Sequence, residues 1–474
     1  MIDFSKKSLL KKCSDVIKIE NGSLKILNEN KLRLELIPYL VSVSALSEDS
    51  DSIPLAQWIV RLSAIGLGAV PASIQGLYEA MGKSQVPCFT VPAFNIRTLT
   101  FDTARSIFKV AKKLSCGPFI FEIARSEMNY TKQTPSEYAT SILGAALTEN
   151  WKGPVFIQGD HVQVSRSKYL KNAQEEMGEI KNLIKSEINA GFYNIDIDAS
   201  TMVDLDAEDY YKQQEKNFTI TAELVQFIRK IQPNGVVISI GAEIGEVGGK
   251  NSTPEEFEAF MSGLQKELDI KRVSPKISKI SVQTGTSHGG IPLPDGKIAE
   301  VKLDFKVLET IGKIAREKYG LSGAVQHGAS TLPEELFDKF PVNFTSEIHL
   351  ATGFQNIFYE HPSLPQELKK EMTDYIMKNY EKEKKANETT NQFLYKMRKH
   401  ALGPFKKDIW GLPENIKKDI ISKIENKVEL IMEKLSLKNT KGIVDKYVSC
   451  SAPYPPVDYF LEKAFDSNNE VEGE

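Results

Sequence analysis

The sequence predicts a (β/α)8 barrel, the TIM-barrel arrangement, carrying an N-terminal cap and a C-terminal helical extension. From Phe89 onward, short apolar runs alternate with amphipathic helical stretches, the pattern of repeated βα units and a parallel sheet. Eight such runs follow one another, and nearly every one stops abruptly at polar, charged or glycine residues. A buried parallel strand that delivers side chains to a catalytic rim ends in this way. Connections this regular favour a closed barrel over an open doubly wound sheet.

At 474 residues the chain exceeds the roughly 250 that one such barrel needs, so one barrel with extensions accounts for it. The division expected is a cap over 1–88, the barrel over 89–362 and the helical extension over 363–474. Charged residues make up 26% with a net charge of -3, which supplies no overall basic field for nucleic acid or anionic lipid. A small-molecule substrate is the expected partner, with no nucleic acid and no membrane, and a homo-oligomer is expected. Cys13, Cys88, Cys116 and Cys450 are widely spaced without a CxxC pair, and the N-terminus is not signal-like, which points to the cytoplasm. No apolar run approaches the roughly 20 residues of a membrane span.

In chain order, a basic segment around Lys6 to Lys12, alternation from Leu24 to Leu36 and a helical pattern from Leu55 to Met81 predict a helical cap with a small hairpin. The eight strands are expected at Thr90–Asn95, Pro118–Ala124, Val155–His161, Asn194–Ser200, Val236–Glu243, Ile277–Gly285, Ala324–Gly328 and Ser346–Thr352. After Pro362 the chain turns Lys/Glu-rich and helical through Lys438, with Pro404 and Pro413 as breaks. This part is expected to pack outside the barrel or on another subunit, and the acidic end to be disordered.

Polar side chains at the C-terminal ends of barrel strands must find partners or do chemistry. The runs offer Asn95, Glu122, Asp160 with His161, Asp196 and Asp198, Glu243, His288, His327 and His349. His161, His288 and His327, at equivalent ends of runs three, six and seven, make a zinc site, or one for another divalent metal. Such a site binds a substrate oxygen and stabilises charge developing there. Asp160, beside a ligand histidine, is placed to shuttle a proton. Asp198 and Glu243 are either alternative metal ligands or loop caps, and Asp196 is structural. His349 is divided between substrate contact and structure, while His361 and His400 are expected to be solvated in the helical tail. Gly289, Gly328, Ser330 and Thr352 border the loops after runs six to eight, and the loops after the last two strands are the usual phosphate cradle of this fold. Lys279, the only lysine in the runs, starts run six away from the histidines, which argues against Schiff-base chemistry.

These residues, in order, resemble the class II, metal-dependent fructose-bisphosphate aldolase family over about residues 90–356. The matching stretches are Val-Pro-Ala-Phe-Asn95, Gly-Asp160-His161, Asp198-Ala-Ser200, Glu243-Ile-Gly, Ser-His288-Gly289 and His327-Gly-Ala-Ser330. The resemblance implies that the three histidines bind zinc and that Asp160 moves the proton of the aldehyde oxygen. It implies that Gly289, Gly328, Ser330 and Thr352 hold the ketone's phosphate, with Asp198 and Glu243 at an alternative metal position. Asn95 is expected to contact substrate. The function expected is a cytoplasmic lyase of carbohydrate metabolism joining a dihydroxyacetone-phosphate-like donor to an aldehyde, as in a ketose bisphosphate such as fructose 1,6-bisphosphate. Phe121-Glu-Ile-Ala-Arg-Ser126 and Ile197-Asp-Ala-Ser200 resemble the accessory subunit of tagatose-bisphosphate aldolase, so the alternative is a non-catalytic or partner-dependent subunit.

The pattern also departs from that family. Lys250-Asn-Ser-Thr-Pro254 replaces the long loop whose glutamate takes a proton from the ketone, and the last run carries His349, Ala351 and Gln355 in place of asparagine, aspartate and arginine. Ala124 stands where that family has a serine. Candidates for the missing base are Glu246, Glu255, Glu256 and His349. Glu255 and Glu256 follow Ser252-Thr253-Pro254, a helix start where acids are favoured without catalysis. His349, expected across the mouth from the zinc ligands, and Glu246 are therefore preferred.

Overall fold

The computed structural model of the chain describes residues 3–20, 23–245, 250–285 and 303–450. Ile17–Glu20 (β1) and Ser23–Ile26 (β2) form an antiparallel hairpin, and Ala69–Pro71 (β3) pairs in parallel with residues 153–155. The barrel strands are β4 (Val91–Asn95), β5 (Ile120–Ala124), β6 (Gly153–Gln163), β7 (Asn194–Asp198), β8 (Ser239–Glu243), β9 (Lys279–Val282), β10 (Ala324–Gln326) and β11 (Thr345–Leu350). Each pairs in parallel with the next, and β11 returns to β4, so the sheet closes. Each strand overlaps one of the eight apolar runs, and helices fill the connections.

The alternation within the strands explains both faces. In β7, Ile195 and Ile197 supply the apolar face while Asn194, Asp196 and Asp198 point the other way, and all five are buried. In β11, Ile348 and Leu350 alternate in the same manner with Glu347 and His349. Branched apolar residues usually fill such a barrel. Here the interior is polar, so each layer must satisfy its own hydrogen bonds and charges.

The strand that carries Asp160 and His161 is irregular. Gln158 and Gly159 face Asn194 and Ile195, but Val162 and Gln163 face Ile197 and Asp198, so two residues on β6 oppose only Asp196. This is a bulge, which bends a strand and re-aims side chains. It lets two consecutive residues face the same interior, which a regular strand of period two forbids. His161 takes a left-handed backbone with φ 41° to do so.

The N-terminal segment closes the floor of the barrel. Tyr78, on the helix Gln75–Gly82, is wholly buried and its hydroxyl bonds Glu347. Asn194 accepts from the Ile74 N–H at 2.9 Å and donates to the Ile157 carbonyl at 3.0 Å, tying this segment to the strands. The C-terminal helices pack on the outside of their own barrel: Glu414–Lys434 lies along Thr100–Leu114, and the Asn439 N–H bonds the Leu114 carbonyl at 3.0 Å. His400 is not solvated as expected. It lies between Tyr130 and Tyr380, with ring centroids 5.3 and 4.9 Å away, and burial together with the Lys399 charge pulls it down to about 4. Among the described residues no helix is long and apolar enough to cross a membrane.

Candidate active site at the barrel mouth

The bulge on β6 brings His161 against the ends of β7 and β8. Its Nδ1 lies 2.8 Å from Glu243 Oε1 and 3.3 Å from Asp198 Oδ2. His327, just beyond β10, places Nε2 3.1 Å from Ser281 Oγ and 3.6 Å from Glu243 Oε1. The His161 and His327 ring centroids are 4.1 Å apart, and those of His327 and His349 are 3.9 Å apart, so three imidazoles stand in a row.

A deeper layer lies beneath them. His349 Nδ1 is 3.0 Å from Glu122 Oε2 and 3.1 Å from Asp160 Oδ1, while its Nε2 is 2.7 Å from Glu347 Oε1. Glu347 also binds Lys279 Nζ at 2.5 Å, and Lys279 reaches Asp196 at 2.8 Å and Gln158 at 2.8 Å. Gly241 makes room for this, since a Cβ there would lie 2.3 Å from Asp196 Oδ1 and 2.8 Å from Lys279 Cε.

Electrostatics divides the layers. In the lower one burial alone would raise Glu347, but the Lys279 ammonium and the His349 imidazole together outweigh it and hold Glu347 well below the usual carboxylate range. In the upper one burial pushes Glu243 up to about 8, with the Asp198 charge adding to the rise, and between the two layers burial with Asp160 pushes Glu122 up to about 8. Burial opposes protonation of His161, but Glu243 and Asp160 outweigh it and raise its imidazole well above the ordinary range. Three carboxyl groups, Asp160, Asp198 and Glu243, thus crowd the His161 and His327 imidazoles.

That donor set suits a divalent cation. Asp160, His161 and His327 offer ligand atoms within 4.8 Å of one another, as do His161, Asp198 and Glu243. Four ligands at the roughly 2.0–2.1 Å of zinc–nitrogen bonds stand about 3.3 Å apart in a tetrahedron. The separations run from 2.8 Å between His161 and Glu243, through 3.3 Å between His161 and Asp198, to 3.9 and 4.0 Å from Asp160 to His161 and His327, and so bracket that spacing. The cation would take the place of protons that burial and mutual repulsion now force onto the group.

A cavity of about 500 Å³ opens above these groups, and Asn95, Gly328, Ser330 and Thr352 line it together with Asp160, His161, His327 and His349. Ser330 Oγ accepts from the Gly353 N–H at 2.9 Å, and Asn95 Nδ2 donates to Glu127 at 2.6 Å and to Asp160 at 3.3 Å. His288, Gly289 and Glu246 lie outside the described residues.

One expectation needs correction. His349 does not stand across the mouth: β11 neighbours β10 in the closed sheet, so its ring lies against His327. Lys279 lies beneath the histidines as expected, but its ammonium points into the barrel and is engaged there by Asp196, Glu347 and Gln158. Sequence reasoning overlooked Glu347, Arg97, Glu127 and Lys399. Glu347 was legible as the partner of His349 in strand alternation, whereas Lys399, in the tail, gave no signal.

The model of the class-II fructose-bisphosphate aldolase family matches residues 77–435. No curated protein sequence matches the chain. Among solved structures, fructuronate-tagaturonate epimerase UxaE of Cohnella laeviribosi is similar with TM-score 0.55 and 11% identity, over 90% of this chain and 90% of that one. Fructose-bisphosphate aldolase of Campylobacter jejuni is similar with TM-score 0.46 and 18% identity, over 78% and 97%. The YdjI aldolase of Escherichia coli K12 gives TM-score 0.43 and 14% identity, over 77% and 98%.

Proposed function

The chain belongs to the class-II fructose-bisphosphate aldolase family, and we propose that it is a metal-dependent aldehyde-lyase that breaks or forms the C–C bond between a dihydroxyacetone-phosphate-like donor and an aldehyde. The observation that carries this reading is the convergence of His161, His327, Asp160, Asp198 and Glu243 at the floor of one cavity.

In this reading His161 and His327, with His288, hold zinc or another divalent ion, and Asp198 and Glu243 form an alternative position for it. When bound, the ion supplies an electrophile for the donor's oxygens. Asp160 takes the proton from the hydroxyl that becomes the aldehyde while the C–C bond breaks and its electron pair stays with the donor carbon. Asn95, 3.3 Å away, orients that carboxylate. The donor carbon then needs a proton, and His349, 3.1 Å from Asp160, or Glu246 delivers it. Gly289, Gly328, Ser330 and Thr352 cradle the donor phosphate.

The partner-dependent reading rests on the short Lys250–Pro254 connection, which leaves no long loop for the usual base. One experiment separates the two. The purified chain, loaded with zinc, is assayed for cleavage of ketose 1,6-bisphosphates and for exchange of the donor's α-proton in deuterated water. Cleavage by the chain alone is expected, and chelation should abolish it. His349→Asn is expected to keep the metal and lose exchange. Unchanged exchange there with loss in Glu246→Gln moves the role to Glu246, and no turnover or exchange in the wild type favours the partner-dependent subunit.

A further inference from the structure

The short helix Arg398–Ala401 of the C-terminal extension reaches the rim of the cavity, where Lys399 lines it beside Arg97 and Tyr130. The extension is held there from two sides. On one side, the Gly403 N–H bonds the Tyr130 carbonyl at 3.0 Å, and Lys406 pairs with Glu137 at 2.6 Å. On the other, beyond β11, Arg398 donates to Asn356 at 2.6 Å and pairs with Glu360 at 3.1 Å. These anchors fix the segment between the loops after β5 and β11, so Lys399 is presented by a rigid support.

The charges at that rim do not balance. Arg97 is satisfied: it pairs with Glu127 at 2.6 Å and donates to Gln355 at 3.1 Å. Lys399 has no carboxylate within ion-pairing distance among the described residues, and its ammonium stands 5.4 Å from the centre of the Tyr130 ring. Burial and the neighbouring Arg97 disfavour its charged form, and the Glu127 charge offsets them only in part. A half-buried cation with no carboxylate at pairing distance offers a charge-assisted contact to an anion that enters beside it. Gln355 is the position where the resembling family carries an arginine, and here Arg97 leans onto Gln355 from the opposite loop while Lys399 arrives from the tail.

We propose that Lys399, with Arg97 beside it, forms an anion subsite that receives a negatively charged terminal group of the sugar, phosphate or carboxylate, at the end remote from the metal-ligating histidines. The C-terminal extension thereby becomes part of the active site and sets substrate preference. This deepens the aldolase reading and depends on it only for the orientation of the sugar.

Calorimetric binding of fructose 6-phosphate, glucuronate and fructose to the wild type, Lys399→Met and Lys399→Arg tests it. The wild type is expected to bind at least one anionic sugar roughly tenfold or more tighter than fructose, the size of a charge-assisted contact. Preference for fructose 6-phosphate identifies phosphate as the natural group, and preference for glucuronate identifies carboxylate. Lys399→Met should erase the preference while keeping metal content and melting temperature, and Lys399→Arg should retain it. No preference in the wild type, or a preference that survives Lys399→Met, overturns the proposal. A Lys399-dependent preference in a chain that cleaves no ketose phosphate leaves the subsite standing and removes the aldolase reading instead.

Discussion

The left-handed conformation of His161 makes a separable prediction about how the site is built. A residue with a Cβ costs roughly 1–2 kcal/mol in that region, and glycine does not. Glycine in turn loses about 0.4–1 kcal/mol more than alanine through the freedom of its unfolded chain. His161→Gly and His161→Ala delete the same imidazole and the same contacts to Glu243, Asp198 and His327. Those losses cancel in the comparison, leaving the backbone term. With φ at 41°, the midpoints of those two ranges leave metal-free His161→Gly more stable than His161→Ala by about 0.8 kcal/mol, between limits of about 0 and 1.6 kcal/mol. Urea denaturation of both variants in chelator measures it. An advantage for alanine would refute the argument that the bulge strains this residue to aim it. Metal should separate both variants from the wild type, which alone gains about 4 kcal/mol at a thousandfold excess over Kd.

Glu187 packs against Gly159, where a Cβ would lie 2.6 Å from its carboxylate, and burial pushes it up to about 8 from an ordinary 4.5. Between those values the folded chain holds more protons than the unfolded one, so stability falls as pH rises, by about 1.4 kcal/mol per pH unit at most. The stability gained by Glu187→Gln should therefore grow from pH 5 to pH 8, towards an upper limit of about 5 kcal/mol, and denaturation at both pH values checks it. A gain that does not change with pH would show that Glu187 is not protonated by folding. Borohydride added with substrate should leave activity intact, because the Lys279 ammonium is paired with Asp196 and Glu347, and mass spectrometry should find no reduced adduct. Ser330→Ala should raise KM for the donor more than for the aldehyde; equal effects on both would remove the donor phosphate from this loop.

All eight strands were legible because strands packed under helices must carry an apolar face and because polar residues at their ends break the run abruptly. His161, His327, Asp160, Asp198 and Glu243 were legible for the same reason, each standing where an apolar run stops. The grouping of these side chains was not. Asp160 and His161 share the interior only because β6 inserts a residue opposite Asp196, and a bulge leaves no mark in hydrophobic periodicity. His349 touches His327 because the sheet closes β11 beside β10, and the pairing of Lys279 with Asp196 and Glu347 joins three strands across the barrel. Lys399 is the furthest from sequence reach. Whether a lysine in a polar helical tail faces water or a cavity is decided by where that tail docks, and docking is a sum of many weak contacts distributed over residues far apart in the chain.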